Sequence, residues 1–434
     1  MSRKRFVLVL TFALGAAVLL AGGLLPVWNA GRPVTLHAGF WAGSYWEVPT
    51  ADSYAVLDAA IVKFEAEHPG VRVEYTSGLQ ERDYTEWLMA QMLKGEAPDV
   101  LLIPPDDFDE IVSIGALEDL RDRAAELRER FYPAAFSAGQ WEGRQYALPY
   151  ECVPTLMFVN KTLLEREGIE LPSDDWSMDD FFDICRRVTR DTDGDNVIDQ
   201  FGCCNYTWEE ALFACGASLF QDDGRSFDLT GTEMMRAVSF VTKLNELAAE
   251  HTVTAREFEA GQVAFRPMLF SEYRAYQSYP WRIRKYSRFA WDCLKMPAGV
   301  PGGNISEMAS LQMGISRQSR YKDLAWELLV TLTCDEVIQA KIYTDGQGCS
   351  PLKAVTAAPE TAEMLRRNTF GDGRLDLHML DEVMAGAVTV PRFRGYSQIM
   401  EKVNARVAEA VKSPDQLRLI LASAQVEINR MLKN

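Results

Sequence analysis

The first part of the chain alternates between short apolar runs and stretches with apolar residues at helical spacing. Val34–Trp41, Val71–Tyr75 and Pro98–Ile103 have the composition and length of strands. Between them, the spacing predicts one helix through residues 57–64 and another over Tyr84–Lys94. The order strand, helix, strand, helix, strand predicts a parallel sheet with helices on both faces.

Several polar and aromatic residues follow these predicted strands. In such sheets, ligands bind beyond the carboxyl ends of the strands. Trp41, the loop to Trp46, and Asp106 with Asp107 come at or just after strand ends, so we expect them on a common rim. One of the two aspartates could equally be the N-cap of a helix that begins at Phe108.

A second feature lies near the middle of the sequence, where two extended runs are joined across a break that holds Glu151. Thr155–Val159 is a continuous apolar run, typical of a strand buried on both faces. Pro149 and Pro154 bracket the break and cannot donate to a ladder, so the chain is expected to leave one sheet here and enter another. A glutamate at such a crossing would lie between two compact bodies.

Beyond this crossing the pattern is mostly helical. Phe258–Phe265 leads from a helix end into a strand, and Leu311–Ile315 predicts a strand that returns towards the first body. The two bodies are therefore expected to interleave. Further helices are predicted over 160–168, from Trp176 onward, over 212–220 and 231–252, and as a pair within 398–432.

Length and charge limit the classes of function. A chain of 434 residues is too long for one hydrophobic core, which predicts two or three domains. The net charge of −17 argues against a nucleic-acid partner, because such binding depends on a basic surface.

The N-terminal segment, residues 1–32, predicts export. Ser2–Arg5 is positively charged, and Phe6–Trp28 is an uncharged apolar run of about the twenty residues that cross a bilayer. The remainder is expected outside the cytoplasm, either after cleavage or held by an uncleaved anchor. No cysteine precedes Cys152, so lipid attachment to an N-terminal thioether is not expected.

The eight cysteines leave two interpretations open. Disulfides are permitted in an exported chain, whereas buried free thiols are equally compatible with this size of protein. No C-x-x-C motif occurs, which argues against zinc ribbons and thioredoxin chemistry.

A series of short motifs recurs in a familiar order. They are W-x-G-x-x-Y-A-L-P-Y at 141–150, Asn160-Lys161, an acidic turn ending in Phe201-Gly202, F-x-x-G-x-V-A at 258–264, M-P-A-G at 296–299, and Lys322–Glu327 before an apolar helix. Together they resemble the family 1 extracellular solute-binding proteins of carbohydrate ABC importers, the broad group that includes maltose-binding protein. The resemblance runs from about Val34 to the C-terminus.

The resemblance implies an α/β fold of two lobes, each a mainly parallel sheet flanked by helices, with a ligand cleft at the hinge. The expected lobes are 33–150 with about 310–375, and 151–309 with about 376–434. A monomer of this kind would capture a sugar or oligosaccharide and deliver it to ABC permease subunits in the membrane. A ligand-sensing protein that partners a membrane receptor is one alternative.

A carbohydrate-active enzyme is the other alternative. The four histidines are scattered, and the sequence contains no H-E-x-x-H, G-x-S-x-G or phosphate-binding G-x-x-x-x-G-K motif. Two carboxylates would suffice for glycoside hydrolysis, and Glu151 with Asp107 could supply them. Binding without catalysis is the preferred interpretation.

The resemblance also implies which residues contact the ligand. Sugar recognition uses flat aromatic faces together with carboxylates or amides that bond hydroxyl groups. The expected contacts on one wall and the crossing are Trp41, Asp106 or Asp107, and Glu151, and those facing them are Trp208, Tyr273 and Tyr396. Trp208 and Tyr273 could instead be core aromatics, whereas a buried Glu151 would need partners of its own.

One cluster of basic residues has two possible interpretations. The basic residues Arg274, Arg282, Arg284, Lys285 and Arg288 would suit an acidic sugar, but a solvated loop is preferred.

The acidic residues Asp191, Asp193, Asp195 and Asp199 occupy positions 1, 3, 5 and 9 of a candidate Ca²⁺ loop. Asn196 stands where an EF-hand has glycine, and Gly202 replaces the bidentate glutamate, so an Asx-type turn is preferred over calcium.

Overall fold

The computed structural model describes residues 33–48, 52–221, 226–249, 251–277, 289–368 and 377–432. The predicted signal or anchor segment, 1–32, lies outside these ranges. Among the helices within them, none combines the length and the apolar character needed to cross a bilayer.

The described residues contain twelve strands. They are β1 (Val34–Gly39), β2 (Val71–Tyr75), β3 (Val100–Ile103), β4 (Gln140–Trp141), β5 (Arg144–Gln145), β6 (Ala147–Asn160), β7 (Phe201–Cys203), β8 (Phe220–Gln221), β9 (Ser226–Phe227), β10 (Val263–Leu269), β11 (Trp291–Leu294) and β12 (Met308–Ile315).

The α-helices of the described residues flank these strands. They are α1 (Ala55–Glu67), α2 (Glu81–Lys94), α3 (Phe108–Ser113), α4 (Arg121–Ala124), α5 (Pro133–Ser137), α6 (Lys161–Arg166), α7 (Met178–Val188), α8 (Trp208–Ala214), α9 (Thr232–Leu247), α10 (Ala255–Glu259), α11 (Phe270–Gln277), α12 (Lys322–Cys334), α13 (Glu336–Ala340), α14 (Ile342–Asp345), α15 (Lys353–Thr356), α16 (Pro359–Asn368), α17 (Leu377–Gly386), α18 (Tyr396–Lys412) and α19 (Leu417–Met431).

Eight strands form one hydrogen-bonded system, in the order β2-β1-β3-β12-β6-β10-β7, with β11 also paired to β6. In the first half, β1 is parallel to β2 and β3, and β12 runs antiparallel to both β3 and β6. In the second half, β10 and β11 are antiparallel to β6, and β7 is parallel to β10. In the first half only β12 runs against the other strands, and in the second half only β6 does. The sheets are therefore mainly parallel in strand direction, and the predicted α/β class is confirmed.

Strand β6 belongs to both halves of this system. Its first part, Ala147–Pro154, pairs with β12, and its second part, from Thr155, pairs with β10 and β11. The break predicted at this point was wrong, because β6 is continuous over 14 residues. The ladder with β12 shifts register between Leu311 and Gln312, opposite Pro149–Glu151. Such an irregularity lets a strand accommodate a proline without ending.

Local sequence signals account for several helix ends. Helix α2 ends where Gly95 adopts a left-handed φ of 74°. Helix α7 begins with a capping box, in which the Ser177 side chain accepts the Asp180 N–H at 3.1 Å and Asp180 accepts the Ser177 N–H at 2.9 Å. The helix predicted over 212–220 was wrong, since α8 ends at Ala214 and Phe220 lies in β8.

Two buried apolar clusters lie against the two halves. The first contains Phe64, Tyr84 and Leu329, and the second is built around Trp176 and Phe265. The chain therefore has two cores, as expected for its length, and the first also takes in residues of the second half such as Phe258 and Phe270. The limits of the two predicted lobes stay a prediction.

The close packing of β7 on α7 makes Gly202 a testable position. A Cβ atom added at Gly202 would lie 2.4 Å from Cα and Cβ of Cys185. We expect Gly202→Ala to lower the free energy of unfolding by about 1–3 kcal/mol, because the backbone must shift to relieve this overlap. Urea denaturation measures the difference.

Gly386 supplies the matched control, because a Cβ atom there would meet no atom within 4 Å. Gly386→Ala should leave stability unchanged or raise it by up to about 1 kcal/mol. Equal unfolding free energies for the two variants would contradict the packing argument.

Candidate ligand-binding site

The residues expected on the rim of the first half do come together. Tyr45 donates a hydrogen bond to Oδ2 of Asp106 at 2.9 Å. Trp41 is buried, with its ring centroid 6.4 Å from that of Tyr45 and 5.0 Å from that of Tyr84. Asp107 stands at the N-cap position of α3, but its side chain makes no capping bond and instead accepts the Thr85 hydroxyl.

Electrostatic interactions connect this rim to residues far away in the sequence. We call the connected set the cleft group, because its members come from elements of both halves. The cleft group consists of Tyr45, Asp106, Asp109, Glu209, Glu307, Arg392 and Tyr396.

Arg392 is the cation of the cleft group. Its Nη1 donates to the carbonyl oxygen of Pro105 at 2.6 Å, and its guanidinium carbon lies 5.9 Å from the centroid of the Phe108 ring. It attracts the carboxylates of Asp109 and Glu307. Its buried Nε and the buried Oδ1 of Asp109 have no hydrogen-bond partner within the described part of the chain. Arg392 Nε can therefore donate a hydrogen bond to a ligand, and Asp109 Oδ1 can accept one.

The carboxylates of the cleft group are partly withdrawn from water. Burial raises the pKa of Asp109 to about 6, although Arg392 opposes the rise. Burial also raises the pKa of Glu307, and the nearby Glu209 carboxylate adds to that increase. Desolvated acceptors of this kind form strong charge-assisted bonds with hydroxyl groups.

Glu151 has protein partners of its own, although it lines one small cavity together with Tyr45 of the cleft group. Its Oε1 accepts the backbone N–H of Gln347 at 2.9 Å and also that of Gly348. Burial raises the pKa of Glu151, against the effect of these two N–H groups and of the Arg274 charge. The cavity beside Glu151, which Trp41 also lines, measures about 60 Å³. That is room for about two water molecules.

The three aromatics expected on the facing wall have different surroundings in the structure. Tyr396 belongs to the cleft group. Trp208 is buried, and its Nε1 donates to Oδ1 of Asn404 at 3.0 Å, in the wall of a cavity of about 780 Å³ between α8, α9 and α18. Tyr273 is 3% exposed and stacks on Phe270, with ring centroids 5.7 Å apart. The structure does not bring Tyr273 to the cleft group.

The structure describes only one member of the predicted basic cluster, Arg274. Arg282, Arg284, Lys285 and Arg288 lie outside the described residues. Arg274 is neither in a solvated loop nor in the cleft group, because its guanidinium donates to the carbonyl oxygens of Ile342, Tyr343 and Gly348 at 2.7–2.8 Å.

The acidic turn has the hydrogen bonding of an Asx-type turn. The Asp191 carboxylate accepts the N–H groups of Asp193, Gly194 and Asn196. Oxygen atoms of Asp191, Asp193 and Asp195 lie within 4.8 Å of one another, whereas Asp199 bonds Thr192. Calcium binding at this turn stays a prediction.

All eight cysteines are free thiols, and all but the half-buried Cys203 are buried. Of the two interpretations, the structure therefore agrees with free thiols, and no disulfide links any of the eight cysteines.

Four members of the cleft group were missed from the sequence, namely Asp109, Glu209, Glu307 and Arg392. Glu209 directly follows Trp208 at the start of α8, and this aromatic-acid pair is a signal that could have indicated it. Asp109 and Arg392 are 283 positions apart in the numbering, so no local pattern joins them.

The family follows from comparison with known proteins. A family model described as bacterial extracellular solute-binding protein matches residues 59–366. The chain belongs to this family, and the resemblance noted from the motifs is confirmed.

Curated relatives and solved structures agree with this assignment. The galactooligosaccharide-binding protein of Bacillus subtilis (strain 168) is 24% identical over 289 residues, which are 63% of this chain and 64% of that protein. An uncharacterized lipoprotein in the oleD 5' region of Streptomyces antibioticus is 28% identical over 187 residues, 42% of this chain and 39% of that protein. The matches thus span less than two thirds of each relative.

The fold is shared with solved sugar-binding proteins. The cyclic α-maltosyl-1,6-maltose binding protein from Arthrobacter globiformis superposes with a TM-score of 0.77 at 17% identity, covering 93% of this chain and 100% of that one. A cyclo/maltodextrin-binding protein complexed with maltotetraose gives 0.71 at 18% identity, covering 93% and 98%. These likenesses establish the two-lobed fold.

The raised pKa of Asp109 yields a prediction about pH. Because the folded pKa of about 6 exceeds the ordinary value of 3.8, ionisation of Asp109 opposes folding as pH rises through this interval. Asp109→Asn should therefore raise the melting temperature at pH 7, and the gain should disappear near pH 4. Calorimetry of both proteins from pH 4 to 8 measures this.

The exposed Asp415 provides the control. Asp415→Asn should change the melting temperature little across the same range. A loss of stability in Asp109→Asn at pH 7 would show that the carboxylate is held by favourable contacts and would contradict the prediction.

Proposed function

We propose that this protein captures a sugar or oligosaccharide outside the cytoplasm, between its two lobes, and delivers it to the permease subunits of an ABC importer. The family is one of extracellular solute-binding proteins, and the names of two relatives describe binding of galactooligosaccharide and diacetylchitobiose. On this proposal the chain binds its ligand without breaking a bond in it and acts as a monomer.

The cleft group is the observation that carries the proposal. It brings two tyrosines, four carboxylates and one guanidinium from distant parts of the chain to one region. Carboxylates accept and guanidinium groups donate hydrogen bonds, and sugar hydroxyls can do both. The aromatic rings of Tyr45 and Tyr396 offer flat apolar faces for the C–H surfaces of a sugar.

Closure of the lobes would complete the site. We assign 33–150 with about 310–375 to one lobe and 151–309 with about 376–434 to the other, joined through β6. A ligand that touches both walls favours the closed form by its extra contacts there. The permease would recognise that form, and the segment 1–32 would export or anchor the chain.

The first test is thermal unfolding against mono- and oligosaccharides, polyols and uronates, with a chemical assay for ligand breakdown in the same wells. A true ligand at a hundredfold excess over its dissociation constant should stabilise the protein by about 3 kcal/mol and be recovered intact. Consumption of a glycan would replace the proposal with an enzyme, and stabilisation by none of the compounds would overturn sugar binding.

Variants of the cleft group test its role in binding. Glu209→Gln should weaken binding of the identified sugar about tenfold or more, because a charge-assisted hydrogen bond contributes about 1.5–3 kcal/mol. Titration calorimetry measures the dissociation constant. Glu86→Gln, on the exposed face of α2, is the control and should bind normally. Unchanged affinity in Glu209→Gln would place the ligand elsewhere.

A further inference from the structure

The segment Ile342–Cys349 touches three parts of the molecule that the proposed function requires to move together. We call it the coupling segment. The first contact is with the rim loop, residues 43–48. The Ser44 hydroxyl donates to Oε1 of Gln347, and Nε2 of Gln347 donates to the carbonyl oxygen of Val48 at 3.2 Å. The same loop carries Tyr45, which bonds Asp106 in the cleft group.

The second contact is with β6, the strand shared by both halves. Cys349 and Cys152 exchange main-chain hydrogen bonds at 2.7 and 3.0 Å, beside the two N–H groups that Glu151 accepts. The approach is close, since a Cβ atom on Gly348 would lie 2.6 Å from the carbonyl oxygen of Cys152. The segment is therefore an added, tightly fitted partner of the first part of β6.

The third contact comes from the second half. Arg274 lies on α11, directly after β10, and bonds the carbonyl oxygens of Ile342, Tyr343 and Gly348. The charge of Arg274 also attracts Glu151 across the segment. A buried guanidinium with three carbonyl acceptors is firmly positioned, because losing any of them leaves a buried charge less well solvated.

We infer that the coupling segment transmits ligand capture at the rim loop to the hinge, and that Gln347 is the positioning residue where the segment meets the rim loop. The inference rests on the proposed function. A ligand shifts an equilibrium only through contacts that differ between the states. Any movement of the rim loop alters the Gln347 side-chain bonds, and the rest of the segment is fixed to β6 and to Arg274, on both sides of the crossing.

Amide hydrogen exchange of the ligand-free protein tests the connection. Ser44→Ala removes the hydroxyl that bonds Gln347 and that also accepts the Trp46 backbone N–H at 3.1 Å, and it leaves the Glu151 and Arg274 side chains unchanged. We expect exchange of the Gln347 and Gly348 amides, which bond Glu151, to become at least threefold faster. Ser113→Ala is the control, since the Ser113 hydroxyl bonds only its own helix, at the Glu110 carbonyl. Exchange at 347–348 equal in both variants would overturn the inference.

Affinity for the sugar identified in the thermal panel gives a second readout. Gln347→Ala should weaken binding about fivefold, and Ser44→Ala should weaken it less, because the bond from Gln347 to the Val48 carbonyl remains. The double variant should be no weaker than Gln347→Ala alone, because that variant has already lost the bond to Ser44. Gln318→Ala, which removes an amide bonded to the Met92 carbonyl at 3.1 Å, should bind normally. Additive losses would indicate two independent structural effects and would contradict coupling.

The two proposals fail in different ways. If no sugar binds, the proposed function fails, and the exchange experiment still decides whether the rim loop and the coupling segment are connected. If a sugar binds but Gln347→Ala behaves like Gln318→Ala, the proposed function stands and the coupling is refuted.

Discussion

The structure depends on one strand that takes part in two sheets. A strand of 14 residues can satisfy its peptide groups on both sides only if partners are supplied along its whole length. Strand β12 and the segment at Cys349 supply them for the first part of β6, and β10 and β11 for the second. The two cores are therefore joined by continuous hydrogen-bonded backbone, which permits bending and twisting but resists separation.

Buried charge is handled in two contrasting ways. At the crossing, Glu151 and Arg274 are solvated by peptide N–H and C=O groups, so their charges are compensated within the protein. In the cleft group, carboxylates gather around Arg392, and buried polar atoms of Asp109 and Arg392 lack partners in the described chain. The first arrangement gives rigidity, whereas the second retains hydrogen-bonding capacity for a ligand. The carboxylate of Glu151 thus has a structural role and those of the cleft group are available to a ligand, because their surroundings differ.

Local signals explain why much of the fold was predictable. Gly95 ends a helix through its own backbone conformation, and Ser177 with Asp180 begins one within four residues. The prolines of β6 rightly indicated a passage from one sheet to the next, but the break predicted between them was wrong, and the register shift opposite Pro149 comes from a partner strand more than 150 positions later. Contact of Glu151 with a ligand stays a prediction, and its protein partners, Gln347 and Gly348, could not be read from the sequence because they are nearly 200 residues away. Tyr273 could be core or site by type, and only the structure shows that it is buried and stacked on Phe270.

The eight free thiols, seven of them buried, set a constraint on biogenesis. On the export route proposed here, the unfolded chain would arrive with all its cysteines reduced in a compartment where disulfides form. Thiols react as thiolates, and burial raises the pKa of Cys152 and Cys293, which makes these two thiols unreactive in the folded protein. Protection therefore begins only when each core closes. Folding and oxidation are in competition, and the yield of native protein would depend on which of the two is faster.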